Sequence, residues 1–368
     1  MIHVCYGTQA ELIKLAPVLR ELAGRGTPHR IIDTGQHPRQ TQSLAEQFSL
    51  RPPDARLWEG GGVASSFDAL RWASSIVAGT LFFHRRLRET TFAPGPGVCV
   101  IHGDTLSTLL GAWVARRMGL KVAHVESGLR SFRRLHPFPE ELIRVRVNLR
   151  ADLLFAPGAW ACDNLRRMNV RGRIVQLPVN TGKDAGDYIL SLGQAKPPRQ
   201  GPYALVSIHR FETVTSAART RRAVEVVCQA ANHWPVVWPM HEVTRRAVEK
   251  AGLMETLRQA GVDVTDILPY TQFLPALRHA TAVIADGGSI QEESWFYDIP
   301  CLLLREATER REGLGENVVL SQWKPQLIAD FFAAPQQYRR RSELPAQSSS
   351  ALIVDELVAL QARLDGHE

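Results

Sequence analysis

Hydrophobic positions along the chain form two alternating kinds of segment. Short apolar runs, too brief for helices, are separated by longer stretches whose apolar residues recur every three to four positions. Residues 2–6 (IHVCY) read as a buried strand, and 11–23 as a helix with Leu12, Ile13, Leu15, Val18, Leu19 and Leu22 on one face. Further strands are expected at 30–33, 98–102, 121–125 and 153–156. A polar, Gly/Pro-rich stretch at 182–202 reads as a linker. The pattern then restarts, with a strand at 203–209, a helix at 217–231, and strands at 235–240, 281–286 and 300–304. A last apolar helical segment covers 353–364, and no fixed-period repeat is visible. This alternation predicts α/β architecture with parallel sheets. The expected arrangement is two doubly wound domains facing a cleft, 1–182 and 203–350, with a helix in 351–368 packing back on the first. In such sheets ligands sit beyond the carboxyl ends of the strands, so the residues that follow each strand carry the information.

Composition narrows the classes. At about 100–200 residues per domain, 368 residues suit two domains. Hydrophobic residues are 45% and charged residues 22%, which excludes wholesale disorder and collagen-like repeats. No apolar run approaches the roughly 18 residues of a membrane span, so no membrane insertion is expected. The first residues, MIHVCYGTQ, lack a basic n-region followed by an apolar core, so no secretory leader is expected and a cytoplasmic location is. Five cysteines lie far apart with no CxxC pair, which fits a reducing compartment rather than a disulfide framework. Net charge is +7, and six of the 44 basic residues are Lys, leaving an Arg surplus suited to phosphate. No block of five like charges appears, so nucleic acid is not an expected partner; RRR at 339–341 reads as a solvated surface.

Each strand end offers a chemical reading beside a plain one. GTQAELIK (7–14) places a glycine turn and a helix N-terminus where an anion could bind, with Lys14 two turns in. The plain alternative is a connector with a solvated Lys. In HGDT (102–105), Asp104 either points into the cleft or caps the next helix. In HVESGLRS (124–131), Glu126 is either a cleft carboxylate or the ion-pair partner of Arg130. In FPEELIRVR (138–146), Glu140 and Arg144 share a helix face and could form an ordinary surface salt bridge. SIHRFE (207–212) puts His209 and Arg210 at the first strand end of the second domain. ADGGSIQEE (285–293) is the strongest signal: a strand ends at Asp286, Gly287 and Gly288 permit close backbone approach, and a helix begins near Ser289. Glu293, one turn in, could reach a ribose diol. No Walker A and no GxGxxG follow the strands, which disfavours dinucleotides.

Taken in order, these segments resemble the UDP-N-acetylglucosamine 2-epimerase family. Its GTRPEAIK, TGQH, HGDT, HVEAGLR, PEExNR, THRxEN, DSGGIQEE and RDTTERPE segments stand here as GTQAELIK, TGQH, HGDT, HVESGLR, PEELIR, IHRFET, DGGSIQEE and REATERRE. The resemblance implies a GT-B type fold of two Rossmann-like domains, with catalysis on the first and UDP binding on the second. It implies C2 deprotonation of a UDP-HexNAc, anti elimination of UDP through a 2-acetamidoglucal, and re-addition, with no redox cofactor or metal. Proton transfer and charge stabilisation would fall to Asp104, Glu126, Glu140 and His209. Lys14 and Arg144 would contact sugar and diphosphate, and Gly288 and Ser289 the diphosphate. Glu293 would hold the ribose, Arg310 the anionic substrate, and Phe273 would stack on uracil. UDP-sugar and UDP are the implied ligands, a homodimer the implied assembly, and envelope or capsule polysaccharide the implied destination.

Several positions depart from that pattern: Gln9 for Arg, Ile143 for Asn, Leu149 for His, Gly287 for Ser, Thr213 for Asn, Phe211 for Arg and Arg311 for Pro. HPRQTQS (37–43) stands in place of HREMLDQ, a segment that helps non-hydrolysing members bind an activating second UDP-sugar. A hydrolysing epimerase that releases UDP and a free ManNAc-type sugar is therefore an open alternative. A GT-B glycosyltransferase and a non-catalytic UDP-sugar binder are the alternatives from other classes.

Overall fold

The computed structural model describes residues 1–63, 65–132, 138–193, 196–341 and 343–366. The chain forms two compact units. The first holds Met1–Tyr188 and everything from Pro345 onward; the second holds Ile189–Leu344.

The first unit is built on a seven-stranded, wholly parallel sheet. Its strands are β1 (Ile2–Tyr6), β2 (His29–Asp33), β3 (Ala55–Arg56), β4 (Val98–His102), β5 (Lys121–Val125), β6 (Leu153–Pro157) and β7 (Arg173–Leu177). Their order is β3-β2-β1-β4-β5-β6-β7. The second unit has a six-stranded parallel sheet in the order β10-β9-β8-β11-β12-β13. These are β8 (Ala204–Ser207), β9 (Val236–Pro239), β10 (Val262–Thr265), β11 (Ala282–Ala285), β12 (Cys301–Leu303) and β13 (Val318–Leu320). The α/β doubly wound expectation thus holds for both units. Every strand expected from the apolar runs is present, within two residues at each end. The missed strands lie at or near the sheet edges. β3 has two residues, and β7 and β10 carry exposed positions that break the apolar run.

The central strands are buried along their whole length, which is why they read as continuous apolar runs. Helix Gln9–Gly24 buries Leu12, Leu15, Val18, Leu19 and Leu22, its periodic face, and begins with a Thr8/Glu11 capping box. Trp72, fully buried on helix Ser66–Phe82, donates its indole N–H to the Thr34 carbonyl (2.9 Å). That bond fixes the loop after β2, which carries TGQH.

The unit boundaries differ from the expected ones. The stretch read as a linker opens as helix Gly182–Ser191, and the boundary falls inside it. Its glycines masked an amphipathic helix that docks within the first unit: Ser348 Oγ and the Ser350 N–H both donate to Asp184 (3.0 and 2.7 Å). Residues 345–350, expected in the second domain, belong with the first. Helix Ser349–Asp365 lies against helix Gln9–Gly24. Arg25–Asp355 (2.5 Å) and Arg173–Glu356 (2.6 Å) ion pairs flank it.

His3 is fully buried beside β4. Its Nδ1–H donates to the Val98 carbonyl (3.4 Å), and its Nε2 accepts the Ala93 N–H (3.1 Å). One ring proton satisfies both partners, and burial pushes its pKa down to about 4. The unfolded chain then binds a proton that the folded chain refuses. This contribution to stability is complete above pH 6.5 and is lost as pH falls to about 4. Melting followed by calorimetry should show that loss, and His3→Gln should remove up to about one proton from its slope. An unchanged slope in the variant would refute the assignment.

Candidate functional site

In the first sheet the winding direction reverses between β1 and β4, and in the second between β8 and β11. These are the switch points beyond which ligands bind in doubly wound sheets. The sequence motifs stand at both.

After β1 the chain turns at Gly7. A Cβ there would strike the Ser107 and Thr34 hydroxyls, which bond each other at 2.7 Å. Lys14, read alternatively as solvated, is 3% exposed, and its ammonium lies against Gly182. After β4, Thr105 rather than Asp104 caps helix Leu106–Arg117. Asp104 is left to pair with Arg144 (2.5 Å). Arg144 also meets Glu141 (3.5 Å), so it pairs with Asp104 and Glu141, whereas surface spacing suggested Glu140. Glu141 is buried and accepts from Arg130 Nε (2.6 Å) and the Ser131 N–H (3.0 Å). Burial opposes its ionisation, but these donors prevail and hold its carboxyl below the ordinary range. Arg130 is thereby engaged away from Glu126. Glu140, at the first turn of helix Glu140–Asn148, has a buried Oε2 with no hydrogen-bond partner among the described residues.

Glu126 directly follows β5 at φ 65°, a left-handed conformation costing of order 1–3 kcal/mol in a non-glycine residue. Its side chain accepts from Asn180 and lies 3.7 Å from His102 Nε2. Neighbouring His124 is fully buried. It bonds the Gly103 carbonyl (2.7 Å) and the Asn148 side chain (2.8 Å), bracing the Asp104 turn against the helix of Glu140 and Arg144. Burial lowers its pKa, with the Gly103 and Asn148 hydrogen bonds opposing. Sequence reasoning named neither His124 nor Glu11 for such a role. Glu11, 1% exposed, accepts from the Gly7 and Thr8 N–H groups and from the Thr105 and Thr108 hydroxyls. Burial raises its pKa to about 7 against those donors.

In the second unit Asp286 organises the switch point. Fully buried, it accepts the His209 and Arg210 N–H groups (3.0 Å each) and the Thr213 hydroxyl (2.9 Å). The loop after β8 is thus tied to the end of β11, and Thr213, a departure from the family pattern, supplies one tie. Burial lowers the His209 pKa, with Asp286 opposing and Arg210 assisting. Its Nδ1 is buried with no hydrogen-bond partner among the described residues, and the ring packs on His241 with centroids 4.5 Å apart. Burial, then His209, push His241 to about 4. Helix Gly288–Phe296 starts at Gly288, where a Cβ would lie 2.8 Å from Arg310 Nε. Arg310 is buried and pairs with buried Glu292. Ser289 is half-buried in the first turn. Glu293 is buried and accepts from the Tyr270 hydroxyl (2.9 Å); Phe273, half-buried, lies one turn along the Tyr270 helix.

Of the residues predicted from sequence, Lys14, Asp104, Glu126, Glu140 and Arg144 therefore stand in the first unit. His209, Phe273, Gly288, Ser289, Glu293 and Arg310 stand in the second. Among the described residues no group of three or more His, Cys, Asp or Glu is disposed to hold a metal ion. None of their helices is long and apolar enough to cross a membrane.

The profile of the UDP-N-acetylglucosamine 2-epimerase family matches residues 20–350. The chain belongs to this family. Its members are isomerases, and the fold is of the GT-B type. A UDP-N-acetylglucosamine 2-epimerase of Methanococcus maripaludis is 28% identical, with 86% of each chain covered. A UDP-2,3-diacetamido-2,3-dideoxy-D-glucuronate 2-epimerase of Pseudomonas aeruginosa is 29% identical over 88% of each. The crystal structure of Methanocaldococcus jannaschii UDP-GlcNAc 2-epimerase in complex with UDP-GlcNAc and UDP superposes with a TM-score of 0.81 at 25% identity. It covers 97% of this chain and 99% of that one. The family match starts beyond the GTQAELIK turn, so that turn's place in the site comes from the geometry described above.

Gly7→Ala tests the packing at the first switch point. The added methyl must part the Thr34 and Ser107 hydroxyls, and the expected loss is about 1–3 kcal/mol in urea unfolding. A midpoint equal to wild type would show that the turn has room.

Proposed function

We propose that this protein is a UDP-HexNAc 2-epimerase that works by elimination and re-addition. A positioned base removes the C2 proton. The C–H electrons form the C1=C2 bond, the C1–O electrons leave with UDP, and a 2-acetamidoglucal remains. Re-addition returns the UDP oxygen to C1 and a proton to the opposite face of C2. Inversion needs acid–base groups on both faces of the ring. The observation that supports this reading is the set of acid–base groups each unit carries: in the first, Asp104 and Glu126 just after strands and Glu140 at a helix start; in the second, the half-buried imidazole of His209 after β8.

Departing UDP gathers negative charge, which preorganised donors stabilise. The N-terminus of helix Gly288–Phe296 with Ser289, and the guanidinium of Arg310, are the groups we assign to the diphosphate. Glu293 we assign to the ribose, Phe273 to uracil, and Lys14 and Arg144 to sugar and diphosphate. The product, a ManNAc-type sugar nucleotide, would feed surface polysaccharide, and we read the enzyme as a cytoplasmic homodimer. Phe67, Leu70, Leu81, Phe82 and Phe83, all exposed on or next to helix Ser66–Phe82, are the apolar surface that favours pairing.

A second reading, the hydrolysing epimerase, is favoured by one feature. HPRQTQS replaces the segment that in non-hydrolysing members binds the activating UDP-sugar. The name of the Pseudomonas aeruginosa relative widens the substrate choice to a 2,3-diacetamido sugar.

Proton NMR with UDP-GlcNAc in heavy water separates these readings. Exchange of the C2 proton with UDP-ManNAc formation is the expected result. UDP with free ManNAc establishes the hydrolysing type, and exchange only with a 2,3-diacetamido substrate moves the specificity. Absence of exchange with every UDP-HexNAc in a screen refutes the epimerase reading. Glu126→Gln and His209→Asn should each lower kcat by roughly 10²–10⁴-fold while UDP still binds. Turnover near wild type in both would sink the role assignment.

A further inference from the structure

We propose that Glu11 is a positioning residue that sets Asp104 for proton transfer by clamping the turn after β1 to the turn after β4. The catalytic part of this inference rests on the epimerase reading above; the clamp itself does not.

A capping box explains only half of what Glu11 does. Its Oε2 accepts the Gly7 N–H (2.6 Å) and the Thr8 N–H (3.1 Å), the ordinary work of a glutamate at the third position of a helix. One oxygen suffices for that. Oε1 instead reaches across the switch point to a second helix N-terminus. It accepts the hydroxyl of Thr105, the cap of helix Leu106–Arg117, and meets the Thr108 hydroxyl (3.1 Å). Thr108 shares its proton with the His102 carbonyl (2.6 Å). One carboxylate, 1% exposed, thus joins the starts of two helices that flank the sheet's reversal.

Both helices carry assigned site residues close by. Lys14 is one turn beyond Glu11 on its own helix, and Asp104 precedes Thr105 directly. Asp104 is also held by Arg144 at 2.5 Å, a contact to its side chain and not to its backbone. The Thr105–Glu11 bond fixes the backbone from which Asp104 departs. A buried carboxylate is costly without full hydrogen bonding, and this one spends half of its capacity on a neighbouring loop. Displacing a reacting group by about 1 Å can cost a hundredfold in rate. Most of the residues assigned to UDP, Phe273, Gly288, Ser289, Glu293 and Arg310, lie in the other unit.

The test uses Glu11→Gln, Thr105→Val and the double variant. Gln can still serve the capping box, and Val keeps the shape of Thr without its hydroxyl. Each single variant should lower kcat by about ten- to a hundredfold. KM for the turned-over UDP-sugar should move less than threefold. The double variant should lose no more than the worse single one, because both break the same link. Thr105→Ser, which restores the hydroxyl, should restore kcat. Single-variant kcat values within twofold of wild type, or fully additive losses, would overturn the positioning role.

Amide hydrogen exchange provides a readout that does not need turnover. Glu11→Gln should speed exchange at residues 103–108 as well as at its own turn. Unchanged protection at 103–108 would overturn the clamp. A wild-type enzyme without C2 exchange on any UDP-sugar would refute the epimerase reading and the catalytic part of this inference. The clamp would then stand or fall on the exchange result.

Discussion

Right-handed crossovers wound in one direction would cover only one face of a parallel sheet, so the winding reverses to bury both, and this constraint decides where the protein can do chemistry. Each sheet is wound outward from a central strand, abandoned at one edge, and resumed on the other side of that strand. Loops on the two sides of the reversal leave in opposite directions and open a crevice at the carboxyl ends. Gly7 and Asp104 stand at that point in the first unit, His209 and Gly288 in the second. The helices that begin there turn their free N–H groups outward, so the same geometry that ends the strands supplies anion-binding donors.

Polar groups placed at a crevice floor are half-buried or wholly buried, and they persist only if hydrogen bonds replace water. The structure meets this requirement by letting one buried group serve several loops. Asp286 takes two backbone N–H groups and a hydroxyl from the loop after β8. Glu11 serves two helix starts, and His124 joins the Gly103 carbonyl to Asn148. Glu141 holds Arg130, Ser131 and Arg144. None of these four is among the residues assigned to substrate, yet each borders one that is. A rigid apolar core supports them: Trp72 in the first unit anchors the Thr34 loop by its indole N–H, and Trp238 fills the interior of the second.

Much of this was legible in the chain because buried parallel strands leave uninterrupted apolar runs. The residues just after those runs are then the ones exposed to ligand, which made Asp104, Glu126, His209 and Gly288 visible as candidates. The plain readings beside them depended on partners that spacing cannot name. Spacing along a helix favoured Glu140 for Arg144 and proximity in the chain favoured Arg130 for Glu126. The fold instead gives Arg144 to Asp104 and Glu141, and Arg130 to Glu141. The stretch at 182–202 misled for a related reason: glycine and proline content records local flexibility, whereas docking on Ser348 and Ser350 stabilises helix Gly182–Ser191 from outside.

The sequence by itself determined the two-unit α/β architecture, the succession of central strands and the motif residues at their ends. These follow from periodicity and local backbone preference, which act over a few residues. Only the tertiary structure decided which edge strands exist, that residues from Pro345 onward return to the first unit, and how the buried charges are paired. It alone made Glu11, His124 and Asp286 into joints between loops. Their partners lie tens of residues away, and whether a buried carboxylate or imidazole is tolerated depends on donors that only the folded chain brings within 3 Å or so.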